Sequence, residues 1–220
     1  MACSSYDEIV VENEQILIDT TVTKNSRIDS LILPYRTDLE KEMNEIIAVA
    51  ERNFLVERPC GLLNNWVVDA LLSSQLKTTS FDAPVMCLLN TGGIRSSINK
   101  GNVTLGDVFK VMPFDNTIVC VKMPVSSIVD IEKYLTTTKG EPIAGAKLEK
   151  GKLLINDMNE KSPYFWIISS DYLVNGGDKM TFFEQKISSK TINVLMRDVL
   201  ISTAKEQKTL ICDSTIRITF

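Results

Sequence analysis

The residues best suited to chemistry sit in two bare turns. At 90–95 the sequence reads Asn-Thr-Gly-Gly-Ile-Arg, directly after an apolar run at 85–89. At 175–178 it reads Asn-Gly-Gly-Asp, soon after a second apolar run at 164–168. Paired glycines let the backbone approach a ligand closely and leave amide N–H groups pointing outward. Asn90 offers a donor and acceptor lone pairs, which suit the edge of a nucleobase. Arg95 supplies a planar fork able to grip a phosphate or a ribose oxygen. Asp178 accepts only when ionised, the natural partner for vicinal ribose hydroxyls. Taken alone, the first stretch also reads as a tight turn with a surface arginine.

Two aromatic residues stand beside these turns. Phe114 follows a proline in Met-Pro-Phe-Asp-Asn, and Tyr172 comes just ahead of the second glycine pair. Rings on separate loops can clamp a flat ligand, each stack worth roughly 1–3 kcal/mol. Either ring by itself also reads as a core or turn aromatic. Stack, edge and sugar contacts together describe a nucleoside pocket, and ligands of layered α/β proteins sit beyond strand ends.

The elements that must carry these loops are readable from periodicity. The runs at 85–89 and 164–168 are short and continuously apolar, as in strands covered on both faces. A helix over 61–76 turns Leu63, Trp66, Val67, Ala70 and Leu71 inward. Thr104 and Asp107 form a capping box for a short helix, after which 113–123 returns as a strand. Residues 125–136 form another helix with Ile128, Ile131 and Leu135 inward, and 141–157 suggest a hairpin. Thr37 with Glu40 predicts a helix start, with Leu39, Met43, Ile46, Ile47 and Ala50 on one face. Residues 8–22 suggest one or two strands, 191–204 a late helix, and Thr215-Ile-Arg-Ile-Thr a closing strand. The expected fold is α+β: a single domain over 10–220 with a mixed β-sheet flanked by helices, after a disordered segment at 1–9.

Composition narrows the function classes. The chain has 220 residues and a net charge of −4, against a general nucleic-acid binder. Histidine is absent, which removes the commonest general base and zinc ligand together. Five cysteines without a Cys-x-x-Cys pair read as core thiols. The opening Ala2-Cys3-Ser4-Ser5 has two readings: a lipoprotein scar with Cys3 as lipid anchor, implying an extracytoplasmic protein, or an ordinary disordered terminus.

The motifs at 90–98, 101–116, 172–180 and 213–218, in that order, resemble the C-terminal domain of the 5'-nucleotidase family. That family also includes UDP-sugar hydrolases and cyclic-nucleotide phosphodiesterases. The resemblance covers roughly 10–220. It implies that Asn90 contacts the base or its neighbourhood, Gly93 lies close to the ligand and Arg95 reaches the sugar-phosphate side. Phe114 and Tyr172 would stack, Tyr172 standing where the family often has phenylalanine, and Asp178 would hold the ribose hydroxyls. Arg58 is the nearest candidate for a further family arginine. Hydrolysis in the family belongs to an N-terminal metallophosphatase domain whose metal site uses histidines and carboxylates. The resemblance therefore implies a nucleoside monophosphate or related nucleotide as ligand and no cofactor in this chain. Divalent metals and hydrolysis would come from a separate metallophosphatase protein, this chain being inert alone. The other reading is an interaction module that kept the fold and lost the ligand.

Overall fold

The computed structural model describes Thr23 and residues 25–220. Cys3, the segment 1–9 and the strands expected over 8–22 lie outside the described residues. The chain divides into two compact units, Met1–Leu39 and Glu40–Phe220.

The first helix, α1, runs Ser26–Met43. It starts at Asn25, whose side-chain oxygen accepts the N–H groups of Arg27 and Ile28 at 3.1 and 3.3 Å. This corrects the expected start at Thr37: that hydroxyl instead donates back to the Leu33 carbonyl, inside the helix. The stripe assigned to that helix is also broken, because Ile46–Ala50 is strand β1. The β-branched and small residues there pair with a partner strand, which a helical count cannot register.

The remaining elements mostly follow the apolar pattern. Helix α2 is Leu62–Thr78 and strand β2 Val85–Leu88. Strand β3, Gly101–Thr104, leads into helix α3, Leu105–Val111, through a complete capping box between Thr104 and Asp107. Strand β4 is Thr117–Pro124 and helix α4 Ile128–Thr137. Short strands β5, Ile143–Ala144, β6, Ala146–Glu149, and β7, Lys152–Ile155, follow, the last two as the expected hairpin. Strand β8 is Tyr164–Ser170 and the single-turn helix α5 is Asp171–Val174. The late helix is shorter than expected. Residues Ser188–Leu195 form strand β9 along β4, and helix α6 is Met196–Gln207. Alternation at Ile192 and Val194 serves an edge strand there. Strand β10, Ile218–Thr219, closes the chain beside β6.

Among the described residues the main sheet has five strands in the order β5-β2-β8-β4-β9. Strands β2 and β8 are parallel neighbours, whereas β4 runs antiparallel to β8. The sheet is therefore mixed and flanked by helices, as an α+β protein requires. Leu63, Trp66, Val67 and Leu71 of α2, with Ile131 and Leu135 of α4, are buried in the core. Cys87 and Cys120 are buried strand residues, while Cys60 and Cys212 are half-buried, and all four are free thiols. Burial pushes the Cys87 thiol up, and Cys120 up to about 11, which keeps both thiols protonated and unreactive at neutral pH. Among the described residues no helix is long and apolar enough to cross a membrane.

Two ionic clasps hold the periphery. Arg217, buried, donates to Asp69 at 2.7 Å, to Asp213 at 3.3 Å and to the Ile143 carbonyl at 2.9 Å. It ties the C-terminal segment to α2 and β5. Asp82 accepts from Lys122 at 2.8 Å, from the Trp166 indole at 2.8 Å and from the Tyr164 hydroxyl at 3.2 Å. Lys122 also lies 3.7 Å above the Tyr164 ring, a cation–π contact.

Replacing Arg217 by methionine removes one partner from a buried ion pair and is expected to cost about 2–3 kcal/mol in urea unfolding. That is below the roughly 3–5 kcal/mol of fully buried pairs, because Asp69 keeps part of its hydration. The Lys122 bond, then the indole bond, lower the Asp82 pKa from 3.8 to about 2. A depressed carboxyl pKa contributes stability that is complete above the unfolded value and lost as pH falls through the folded one. The melting-temperature gap between wild type and Asp82→Asn should therefore be constant near neutral pH and close between about pH 4 and about pH 2.

Candidate functional site

The topology brings both glycine turns to one edge of the sheet. Because β2 and β8 run parallel, with Cys87 opposite Ile168, their C-terminal ends point the same way. The 90–93 turn leaves one and the 175–178 turn, by way of α5, leaves the other. Strand β4 runs the opposite way, with Ile118 opposite Ser170, so its entry carries Phe114 to the same edge. Three loops distant in sequence thus meet at one place.

Asp178 is the junction. Asn90 donates its side-chain amide to Asp178 Oδ2 at 2.6 Å. The Tyr172 hydroxyl donates to Asp178 Oδ1 at 2.9 Å, and the Tyr134 hydroxyl to the Asp178 carbonyl at 3.1 Å. The residue takes a left-handed backbone (φ 49°), which aspartate tolerates better than most residues. Each carboxylate oxygen has one donor and keeps further lone-pair capacity, so an incoming pair of hydroxyls still finds acceptors.

The glycines are needed for close packing. A Cβ on Gly177 would stand 2.5 Å from the Tyr172 ring, and one on Gly93 would stand 2.7 Å from Asn90 Oδ1. Gly177 thus backs one side of the tyrosine ring, which stays 50% exposed. The chain just before the ring is held by Asp171, which accepts the Thr117 hydroxyl at 2.9 Å and the Tyr172 amide at 2.8 Å.

Two adjoining hollows border this network. The first, a narrow crevice of about 10 Å³, is lined by Asn90, Gly93, Phe114, Asn116 and Ser170, among others. The second, open and of about 500 Å³, is lined by Asn116, Asp171, Tyr172, Asn175, Gly176 and Gly177. They share Asn116. Phe114 is 52% exposed, so its ring is open to a ligand. Most of the predicted residues therefore lie together: Asn90, Gly93, Phe114, Tyr172 and Asp178. Arg95 is exposed and donates to the Gly92 carbonyl at 3.2 Å, folded against its own turn.

Arg58 joins the group indirectly. It donates to Glu141 at 2.7 Å and to the Thr138 carbonyl at the end of α4. Glu141 also accepts the Thr91 amide at 2.6 Å, and its side chain is only 3% exposed. One buried carboxylate thereby ties Arg58 to the first glycine turn, with both oxygens engaged as burial demands. Burial, with the Glu141 and Asp178 carboxylates adding to it, pushes Tyr134 up to about 12. Its hydroxyl stays a proton donor across the physiological range.

Glu141, Tyr134 and Asn116 were not among the expected site residues. Only Asn116 carried a usable signal, a side chain with donor and acceptor two positions after Phe114 at a strand entry. No three Asp, Glu or Cys side chains gather as a metal-holding group among the described residues, and histidine is absent from the sequence. What is assembled here can stack, hydrogen-bond and neutralise. It does not fit a two-metal hydrolytic centre.

Comparison with known proteins gives a consistent picture. A family model, the 5'-nucleotidase C-terminal domain, matches residues 41–130. An apyrase of Tabanus yao is 23% identical over 86% of the chain, which covers 40% of that protein. Protein UshA of Escherichia coli K12 is 27% identical over 61% of the chain and 24% of its own length. The chain thus spans well under half the length of these relatives. The crystal structure of a 5'-nucleotidase precursor from Thermus thermophilus superposes with a TM-score of 0.69 at 22% identity, over 86% of this chain and 42% of that one. NAD nucleotidase of Haemophilus influenzae shares the fold at 17% identity and a TM-score of 0.64, over 89% of this chain and 41% of its own. Motif order, fold and family model agree: residues 41–130 match the 5'-nucleotidase C-terminal domain, and the chain shares the fold of a solved 5'-nucleotidase precursor.

Proposed function

We propose that this protein is the nucleotide-recognition domain of a 5'-nucleotidase-type hydrolase. It grips the base and ribose of a nucleoside monophosphate while a metallophosphatase, which we take to be a separate protein, cleaves the phosphate. The observation that carries this reading is the junction at Asp178, where Asn90 and Tyr172 meet the two oxygens of one carboxylate. That junction stands beside hollows bordered by Phe114 and Tyr172.

The roles follow from the chemistry. Phe114 and Tyr172 offer ring faces to the base, and Asn90 and Asn116 offer donors and acceptors to its edge. Asp178 takes the 2'- and 3'-hydroxyls. Arg95 swings from the Gly92 carbonyl to the phosphate, exchanging a neutral acceptor for a charged one. The chain itself moves no proton and breaks no bond. Its contribution is to hold the nucleotide where another domain can act on it, the positioning share of catalysis. The same proposal puts the protein outside the cytoplasm, with Cys3 as its lipid anchor.

Two measurements test this. In titration calorimetry, Asp178→Ala should weaken binding of a ribonucleoside monophosphate roughly 10- to 100-fold, the worth of charge-assisted hydrogen bonds. The same substitution should weaken a 2',3'-dideoxynucleoside monophosphate less, since there only the released Asn90 and Tyr172 are at stake. Equal losses for both sugars would remove Asp178 from the ribose role, and no heat from wild type with any nucleotide would leave an interaction module instead. Separately, Gly177→Ala should displace the Tyr172 ring and cost about tenfold in affinity for any base, read by the same titration.

A further inference from the structure

The Phe114 ring is more than half exposed, so its own packing does little to hold it. Its backbone, by contrast, is clasped from a helix about eighty residues away. Arg197, in the first turn of α6, has a side chain only 8% exposed. One guanidinium nitrogen donates to the Met112 carbonyl at 3.2 Å and, longer, to the Phe114 carbonyl at 3.4 Å. The other donates to Asp115 Oδ1 at 2.5 Å. The guanidinium carbon sits 4.3 Å over the Phe109 ring of α3. Beside it, the Met196 amide donates to the Asn116 carbonyl at 3.0 Å. Residues 112, 114, 115 and 116 are thus all pinned to the start of α6.

We infer that Arg197 is a positioning residue for the base-stacking side of the site. It fixes the 112–116 segment so that Phe114 and Asn116 stand at the mouth of the cleft before a ligand arrives. The inference rests on the nucleotide-recognition reading. Stability alone is a poor reason for this arginine. Its carboxylate partner Asp115 is 75% exposed, so the charge is buried on one side only. Its Nε is buried with no acceptor. A burial of that kind is often no better than a well-packed apolar side chain. What an apolar residue cannot supply is a planar fork that engages carbonyls and a carboxylate of one loop at once. An ordered loop lowers the entropy cost of binding, because the stacking ring need not be immobilised by the ligand.

The test uses the whole chain and two probes, AMP and ribose 5-phosphate, the second having no base. Arg197→Met should weaken AMP by about tenfold and leave ribose 5-phosphate unchanged, since Asn90, Tyr172 and Asp178 are untouched. Arg197→Lys keeps the charge but lacks the fork, and should behave in the same way. Amide hydrogen exchange in both variants should rise over residues 112–117 and stay at wild-type levels over 175–178. Equal loss of both probes, or unchanged exchange at 112–117, would overturn the inference. If wild type takes up neither probe, the nucleotide reading fails and the exchange experiment decides alone. Selective loosening of 112–117 would then uphold Arg197 as the anchor of that segment, and uniform exchange would refute it.

Discussion

Everything at this site depends on the parallel pairing of β2 with β8. Val85, Met86 and Cys87 lie opposite Trp166, Ile167 and Ile168, and this alignment sends both strands out of the sheet on the same side. A slip of one residue would turn every side chain of β2 to the opposite face. It would also separate Asn90 from Asp178, whose hydrogen bond of 2.6 Å spans 88 residues of sequence. Register is held by burial. Met86, Cys87, Leu88, Ile167 and Ile168 are all fully enclosed, so no slipped alignment hides the same apolar surface. The polar network at the edge is therefore positioned by an apolar sheet that takes no part in recognition.

Charge is arranged at the edge in a particular way. Asp178 is exposed, and neutral donors meet its two oxygens. Glu141 is buried, and a guanidinium and a backbone amide meet its oxygens. The difference is physical: water can solvate the exposed Asp178, whereas the buried Glu141 needs charged and polar partners from within the protein. Arg58 serves that need, its fork given to Glu141 and Thr138. Arg95, held only by a neutral carbonyl, keeps its charge available to an anion. Two arginines that look alike in sequence have opposite relations to the scaffold.

This contrast marks the limit of what periodicity and motif reading deliver. The buried strands at 85–89 and 164–168, the Thr104–Asp107 capping box and the inward stripe of α2 were legible because each rests on local pattern. The start of α1 was misplaced because Thr37 followed by Glu40 imitates a helix start, while Asn25, the actual cap, precedes a segment interrupted by Pro34, a residue that ordinarily breaks a helix. Thr191 to Leu195 were read as helix because Leu195, Met196, Val199 and Leu200 share a helical face. The pairing of β9 with β4 overrides that count. In the site, Asn90, Tyr172 and Asp178 announced themselves as polar or aromatic residues beside glycine pairs, and Phe114 as an aromatic held after a proline. Glu141 and Arg197 did not, since a charged residue in sequence looks like surface until its distant partner is known.

The buried charges also bear on how the domain would contribute to catalysis. A ligand is held well for in-line attack only if its ring, sugar and phosphate are fixed together, and rigid contacts lower the ordering cost of doing so. Here Tyr172 is backed by Gly177 and bonded to Asp178, and the first turn is bonded through Thr91 to Glu141. The frame is ordered by contacts within the chain. On the proposed division of labour, a recognition domain gains from this order. Binding energy gathered at a base and ribose, remote from the scissile bond, accelerates chemistry only when it goes into orienting that bond. On the proposed reading, a loose pocket would use the same contacts to order itself, and the phosphate presented for cleavage would wander.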